Sequence, residues 1–397
     1  MQSKNTLHPI LLLMILGLLM ATTSLSTDIY LPAMPQMARD LNGRAELTVT
    51  GFLVGFALAQ LLWGPISDRI GRKKPLYLGM LLFIVGSLGC AMSETMPQMI
   101  FWRVFQAFGA CTAPMLARAM VRDLFDKTRA VQMMSTLTII MAIAPISAPL
   151  IGGQLLRLSS WHAIFYLLAV IGGVMFLSLQ ALPESHRLEN RATGAFFSVF
   201  RNYLTLLDNA AFMRYTLCVT FFYIGNYAFI IGSPEVYIDH FHIDPQHFGW
   251  LFGLNIVGVM ILSLANRFLV KRFNLNQLLR ATTAFASLMG LFIAFFAYTH
   301  IGGMVSLIIS VFFYFSMVGI IAACATIASL DRVPEMAGSG SALMGSLQYG
   351  SGIISSLLLA AFSDGSAWAM AWIMAASAML SAVMMWGNMA NANKKVR

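Results

Sequence analysis

GPISDRIGRKKPL, residues 64–76, sets four cations (Arg69, Arg72, Lys73, Lys74) and one acid (Asp68) between two long apolar runs. The whole chain is 58% hydrophobic and only 10% charged. A soluble protein of this length carries about a quarter charged residues. This one has too few to coat a surface in water. Its apolar runs also come in blocks near the ~20 residues that cross ~30 Å of hydrocarbon. The pattern identifies an all-α polytopic membrane protein, and residues 64–76 as one of its loops.

Apolar runs between charged or Pro/Gly breaks give twelve expected helices, at 9–33, 46–67, 75–93, 97–120, 131–156, 161–182, 211–237, 246–268, 276–297, 302–327, 338–362 and 366–389. The first run resumes through Leu31 and lacks a small-residue cleavage site, so it is expected to stay as a span and not to be removed as a signal peptide. The polar stretch 184–210 divides the chain into two six-helix bundles, 1–183 and 211–397. With the N-terminus in the cytoplasm, the outer loops carry only Arg39, Arg44 and Arg157, and Arg103 lies within a span. All other basic residues then fall on the inner side, which orients the chain with both termini inside. The net charge of +9 is thereby a matter of topology, not of nucleic-acid binding. At an offset of 202 residues Pro32 matches Pro234 and Gly51 matches Gly253, as a parallel internal repeat would give. The four cysteines lie in apolar blocks with no zinc-type spacing.

In the opening loop, Gly64 and Gly71 are expected to permit the turn between antiparallel helices. The cations hold it to the anionic inner leaflet at about 1 kcal/mol each. Asp68 needs another partner. The N-terminus of the helix starting near Gly338 and the guanidinium of Arg122 are the expected ones, which makes the aspartate part of an inner gate.

Intramembrane ionisable residues are costly and mark function. Asp28, expected about five residues from the outer end of the first helix, and Arg103, about six residues into the fourth, lie at similar depths of ~8–9 Å. A proton carrier tuned by arginine and a permanent structural ion pair both remain open for Asp28. Arg103 cannot realistically deprotonate, so it would tune the carrier or bind an anionic group. Tyr30, Asn226, Tyr227 and Asn255 are candidate substrate contacts, with interhelical hydrogen bonding as the alternative. Glu235 reads as a solvated helix-end acid or an extra proton or cation site. The nearby His240, His242 and His247 have no accompanying cysteines, and no metal site is expected.

Residues 64–74 resemble the loop 2–3 signature of the major facilitator superfamily, G-x-x-x-D-R-x-G-R-[RK], through Gly64, Asp68, Arg69, Gly71 and Arg72. Arg103, Gln106 and Gly109 resemble its fourth-helix motif R-x-x-Q-x-x-G. STDIYLPAMPQM (26–37), SPEVYIDHF (233–241) and QHFGWLFGLN (246–255) are similar to the drug:proton antiporters of its bicyclomycin/chloramphenicol-resistance branch. IAPISAPLIGG (143–153) resembles that branch's antiporter motif, with Pro145, Pro149, Gly152 and Gly153 in place and alanine at 144 and 148 where glycines are expected.

The resemblance implies the major facilitator fold and a monomer in the bacterial inner membrane. It also implies export of small amphipathic drugs in exchange for protons, with the proton gradient as energy source and no cofactor. The alternative is a proton-coupled carrier of a nucleoside, sugar or amino acid. A pump would need a nucleotide-binding loop, and an enzyme a convergent motif such as H-E-x-x-H; the sequence has neither.

Overall fold

The computed structural model describes residues 9–186, 189, 191 and 198–387. The helices are α1 (Pro9–Asp28), α2 (Met34–Asp40), α3 (Glu46–Ile70), α4 (Lys73–Ala91), α5 (Met96–Leu124), α6 (Lys127–Leu158), α7 (Trp161–Ser178) and α8 (Ser198–Leu207). They continue with α9 (Ala210–Pro234), α10 (Pro245–Leu269), α11 (Leu275–Thr299), α12 (Gly303–Ser316), α13 (Val318–Leu330), α14 (Ala337–Phe362) and α15 (Trp368–Trp386). Among the described residues these make 12 segments long and apolar enough to cross a bilayer, with α1–α2 and α12–α13 each joined into one. Each matches an expected span to within a few residues, except the first. The protein is a multi-pass membrane protein.

The first span runs on to Asp40 instead of ending near residue 33. Pro32 and Pro35 have no N–H to give, so the ladder breaks after Asp28 and restarts through a 3-10 turn at Leu31–Ala33. The Trp161 indole donates to Asp40 Oδ2 at 2.9 Å and anchors the far end. Asp28 is therefore the last residue of a broken helix, well inside the span.

The chain forms two compact units, residues 1–194 with 245–249, and 195–244 with 250–397. In the first, α5 packs on α3, α4 and α1, and α6 lies along α1. In the second, α9 is surrounded by α13, α14 and α15. Lipid tails are as apolar as leucine, so such seams depend on small residues and interhelical hydrogen bonds. A Cβ on Gly109 of α5 would strike the carbonyl of Gly79 on α4, and one on Gly86 the amide of Gln106. In the second unit Ser355 donates to the Ile224 carbonyl at 2.5 Å, and Ser381 to that of Cys218 at 2.7 Å. Leu78, Val170, Val174, Leu264 and Phe268 are exposed on outer helix faces, as lipid contact requires.

The turn between α3 and α4 is made by one glycine, not two. Gly71 closes α3 with φ +95°, a conformation that favours glycine. Gly64 lies inside α3, and a Cβ there would meet nothing within 4 Å.

Candidate functional site

Arg103 is wholly buried, which demands compensation, because the guanidinium does not give up its proton. Its Nη1 donates to the Ser26 carbonyl at 3.0 Å and to Gln106 Oε1 at 2.6 Å. Nε reaches the Thr48 carbonyl at 3.4 Å. The carbonyl of Ser26 is one of the last four of α1, which lack a partner within the helix and carry the negative end of its dipole. The rings of Tyr30 and Phe52 each lie 4.4 Å from the guanidinium carbon, a desolvated arrangement worth about 2 kcal/mol. Gln106 in turn donates to Ser87 Oγ at 2.8 Å. The residues at positions 103, 106 and 109 thus have separate tasks. The arginine braces the end of α1, the glutamine holds the arginine, and the glycine lets α4 approach.

Asp28, two residues beyond Ser26, is also buried. Its carboxylate accepts from Thr27 Oγ1 at 2.8 Å and has no ion-pair partner among the described residues. The permanent Asp28–Arg103 pair left open by the sequence is not formed. Arg103 supports the backbone that carries Asp28 without neutralising the carboxyl.

Gly152 of α6 completes this corner. A Cβ on it would overlap the carbonyl of Ile29, the residue after Asp28. Gly153 and Pro149 are buried beside it and Pro145 is half-buried. The prolines leave two carbonyls of α6 without helix partners, yet the helix runs unbroken to Leu158.

The loop network differs from expectation. Asp68 does not pair with Arg122. Arg72 Nη1 takes it at 2.6 Å, one helical turn away, and Arg72 Nε takes Asp123 Oδ2 at 3.0 Å. Burial works against the charge of Arg72, but the two carboxylates outweigh it and hold the guanidinium above its ordinary pKa. Arg69 stands half-buried in the last turn of α3. Ser185 Oγ donates to Asp123 at 3.1 Å, and His186 Nδ1 lies 3.9 Å from the same oxygen.

Glu184, read from sequence as a linker residue, accepts from the backbone N–H groups of Arg72 at 2.8 Å and Lys73 at 3.1 Å. It caps α4 from far along the chain, and Lys73 Nζ returns a bond to the Gln180 carbonyl at 3.2 Å. Glu184→Ala is expected to cost about 1 kcal/mol, the usual value of a helix cap, seen as a lower unfolding midpoint of the purified protein. Glu184→Gln, which keeps an acceptor, should recover most of it.

The candidate substrate contacts divide between the units. Tyr30 is buried in the first, its hydroxyl 3.2 Å from Thr48 Oγ1 and its ring under Arg103. Tyr227, Asn226 and Asn255 are buried in the second. The two asparagine side-chain oxygens have no partner among the described residues, and an unmet buried acceptor costs about 1–3 kcal/mol. Glu235 is not a freely solvated helix-end acid. It opens a π-helical turn, Glu235–His240, is half-buried, and accepts from Ser363 Oγ at 2.6 Å. No metal-holding group of His, Cys, Asp and Glu occurs among the described residues.

The family model described as Major Facilitator Superfamily matches residues 16–356. An MFS-type transporter of Bacillus subtilis (strain 168), YdgK, is 35% identical over 84% of both chains. The bicyclomycin resistance protein homolog of Haemophilus influenzae is 30% identical over 96% of both. Multidrug resistance protein D of Escherichia coli (strain K12) is 29% identical over 87% of this chain and 88% of its own. Among solved structures, the nucleoside transporter NupG (D323A mutant) superposes with a TM-score of 0.73 at 15% identity, covering 94% of this chain and 98% of its own. A D-xylose-proton symporter gives 0.72 at 16%, covering 95% and 96%. Matched over most of its length, the chain belongs to the Major Facilitator Superfamily and is a transporter, not an enzyme.

Proposed function

We infer that this transporter exports small amphipathic drugs or related compounds in exchange for protons, by alternating access. The observation that carries the reading is the buried carboxyl of Asp28, without a counter-ion among the described residues, at the break in α1. A carboxyl held in no permanent pair can release and regain a proton as its access to each side changes. The export half of the reading is supported by relatives named for bicyclomycin and multidrug resistance. The sugar and nucleoside carriers share only the fold, at identities too low to speak for a metabolite. The proton gradient is the energy source in this reading and no cofactor is involved. The protein works as a monomer in the bacterial inner membrane, a location supported by its bacterial relatives. Both termini are placed in the cytoplasm by the bias of basic residues; the terminal residues themselves lie outside the described ones.

The test is accumulation of ethidium by cells with and without the protein, followed by a panel of phenicols, bicyclomycin, sulfonamides and nucleosides. Lower dye accumulation that a protonophore restores is the expected result. Equal accumulation of dye and drugs, with altered nucleoside uptake, would replace drug export by metabolite transport.

A further inference from the structure

The second unit buries no lysine, arginine, aspartate or glutamate among its described residues, whereas the first buries Asp28, Arg72 and Arg103. Apart from the half-buried Glu235, which is engaged by Ser363, the groups that the second unit buries within its spans are neutral. Two of those groups form a matched pair. Asn226 Nδ2 donates to the Phe222 carbonyl at 2.9 Å, and Asn255 Nδ2 to the Leu251 carbonyl at 3.1 Å, each four residues back on its own helix. Only the nitrogen of an amide can make that bond. Both side-chain oxygens are thereby turned away from their own helices, and both lack a partner among the described residues.

Register sets the two at one level. α9 and α10 are consecutive spans and run antiparallel, and Phe229 and Phe252 stack across them with ring centroids 6.0 Å apart. Asn226 lies one turn before Phe229, and Asn255 one turn after Phe252. On antiparallel helices these steps go the same way, so both amides stand one turn beyond the stack at a common level. Thr220 Oγ1, further back on α9, is unpartnered as well. Folded proteins leave few buried acceptors empty, and each exception needs an explanation.

We propose that Asn226 and Asn255 form a subsite whose side-chain oxygens accept hydrogen bonds from the hydroxyl or amide N–H groups of an uncharged substrate. The proposal rests on the export reading and deepens it by stating what the exported compound carries. Among the described residues of this unit an ammonium group would find no fully buried carboxylate, and the half-buried Glu235 already accepts from Ser363. Both oxygens are covered in the present conformation, which suits groups that a carrier uncovers during only part of its cycle.

The experiment uses the full-length chain purified in detergent and follows thermal unfolding with matched probes. The pairs are chloramphenicol and its N,O,O-trimethyl derivative, uridine and its derivative methylated at N3 and all three hydroxyls, and sulfanilamide and its fully N-methylated form, so that every capped member has no O–H or N–H left. In wild type, the donor-bearing member of at least one pair should raise the Tm, and its capped partner should not. Asn226→Leu and Asn255→Leu, made separately, should weaken that binding on the order of tenfold or more, since a site built for a hydrogen bond discriminates strongly against its loss. Without ligand, each leucine variant should melt at or above wild type, because an unmet acceptor has been removed; an asparagine with a merely structural role would melt lower.

Equal shifts within every pair, no shift with any pair, or leucine variants that bind as wild type would overturn the subsite. Ethidium efflux separates this from the broader reading. Efflux without donor discrimination removes the subsite and keeps export, whereas donor discrimination without efflux does the reverse.

Discussion

Asp28→Asn is expected to abolish transport driven by a pH gradient while leaving downhill movement of substrate intact. The substitution keeps the shape of the side chain and an acceptor for Thr27 Oγ1, but removes the group that titrates. Each unit of pH difference is worth 1.36 kcal/mol per proton. A one-for-one exchange with a neutral compound could thus sustain about a tenfold concentration ratio per unit. In proteoliposomes with an imposed gradient, wild type should approach that ratio and the asparagine variant should stay at unity. Asp28→Glu retains a carboxyl and should keep part of the coupling. If the asparagine variant still accumulated substrate against its gradient, the proton would travel elsewhere, and Glu235, bonded to Ser363, would be the next group to replace.

The second large effect is steric. Gly152→Val should reduce transport by at least an order of magnitude with little loss of folded protein, because the added atoms meet the Ile29 carbonyl. Backbone cannot swing aside as a side chain can, so α6 or the break in α1 has to shift. Overpacking of this kind costs typically 1–3 kcal/mol, and here the displacement falls on the residue next to Asp28. Gly173→Ala in α7 is the control, since a Cβ there meets nothing within 4 Å; it should transport as wild type. Normal transport by the valine variant would show that the corner of α1 and α6 tolerates movement and that the antiporter motif acts in some other way.

The spans were legible because a bilayer imposes a length and a composition that apolar runs report directly. The break in the first span was half legible. Pro32 and Pro35 were visible, but prolines mark an interruption without saying whether the helix resumes. Arg103 and Asp28 stood out as charges in apolar surroundings. That Arg103 would spend its donors on Ser26 and Gln106 instead of Asp28 depends on how α1 and α5 cross, which no local pattern encodes. The Asp68–Arg72 pair could have been read from its spacing of four residues, had the turn not been assigned to both glycines. Glu184 gave no signal, because a polar residue in a polar stretch resembles solvated linker whether or not it caps a helix.

That cap bears on where the polypeptide could be divided. A protein built of two bundles invites production as two separate chains, and the polar stretch after α7 is the natural place to part them. A division at residue 183 would send Glu184, Ser185 and His186 away with the wrong fragment. The amides at the start of α4 and the carboxylate of Asp123 would lose the partners that tie the α3–α4 turn. A division after Arg191 leaves all three with the first fragment, together with the arginine whose Nη2 would lie 2.8 Å from a Cβ on Gly71. The stretch that joins the bundles in the gene is, over its first residues, a working part of one of them.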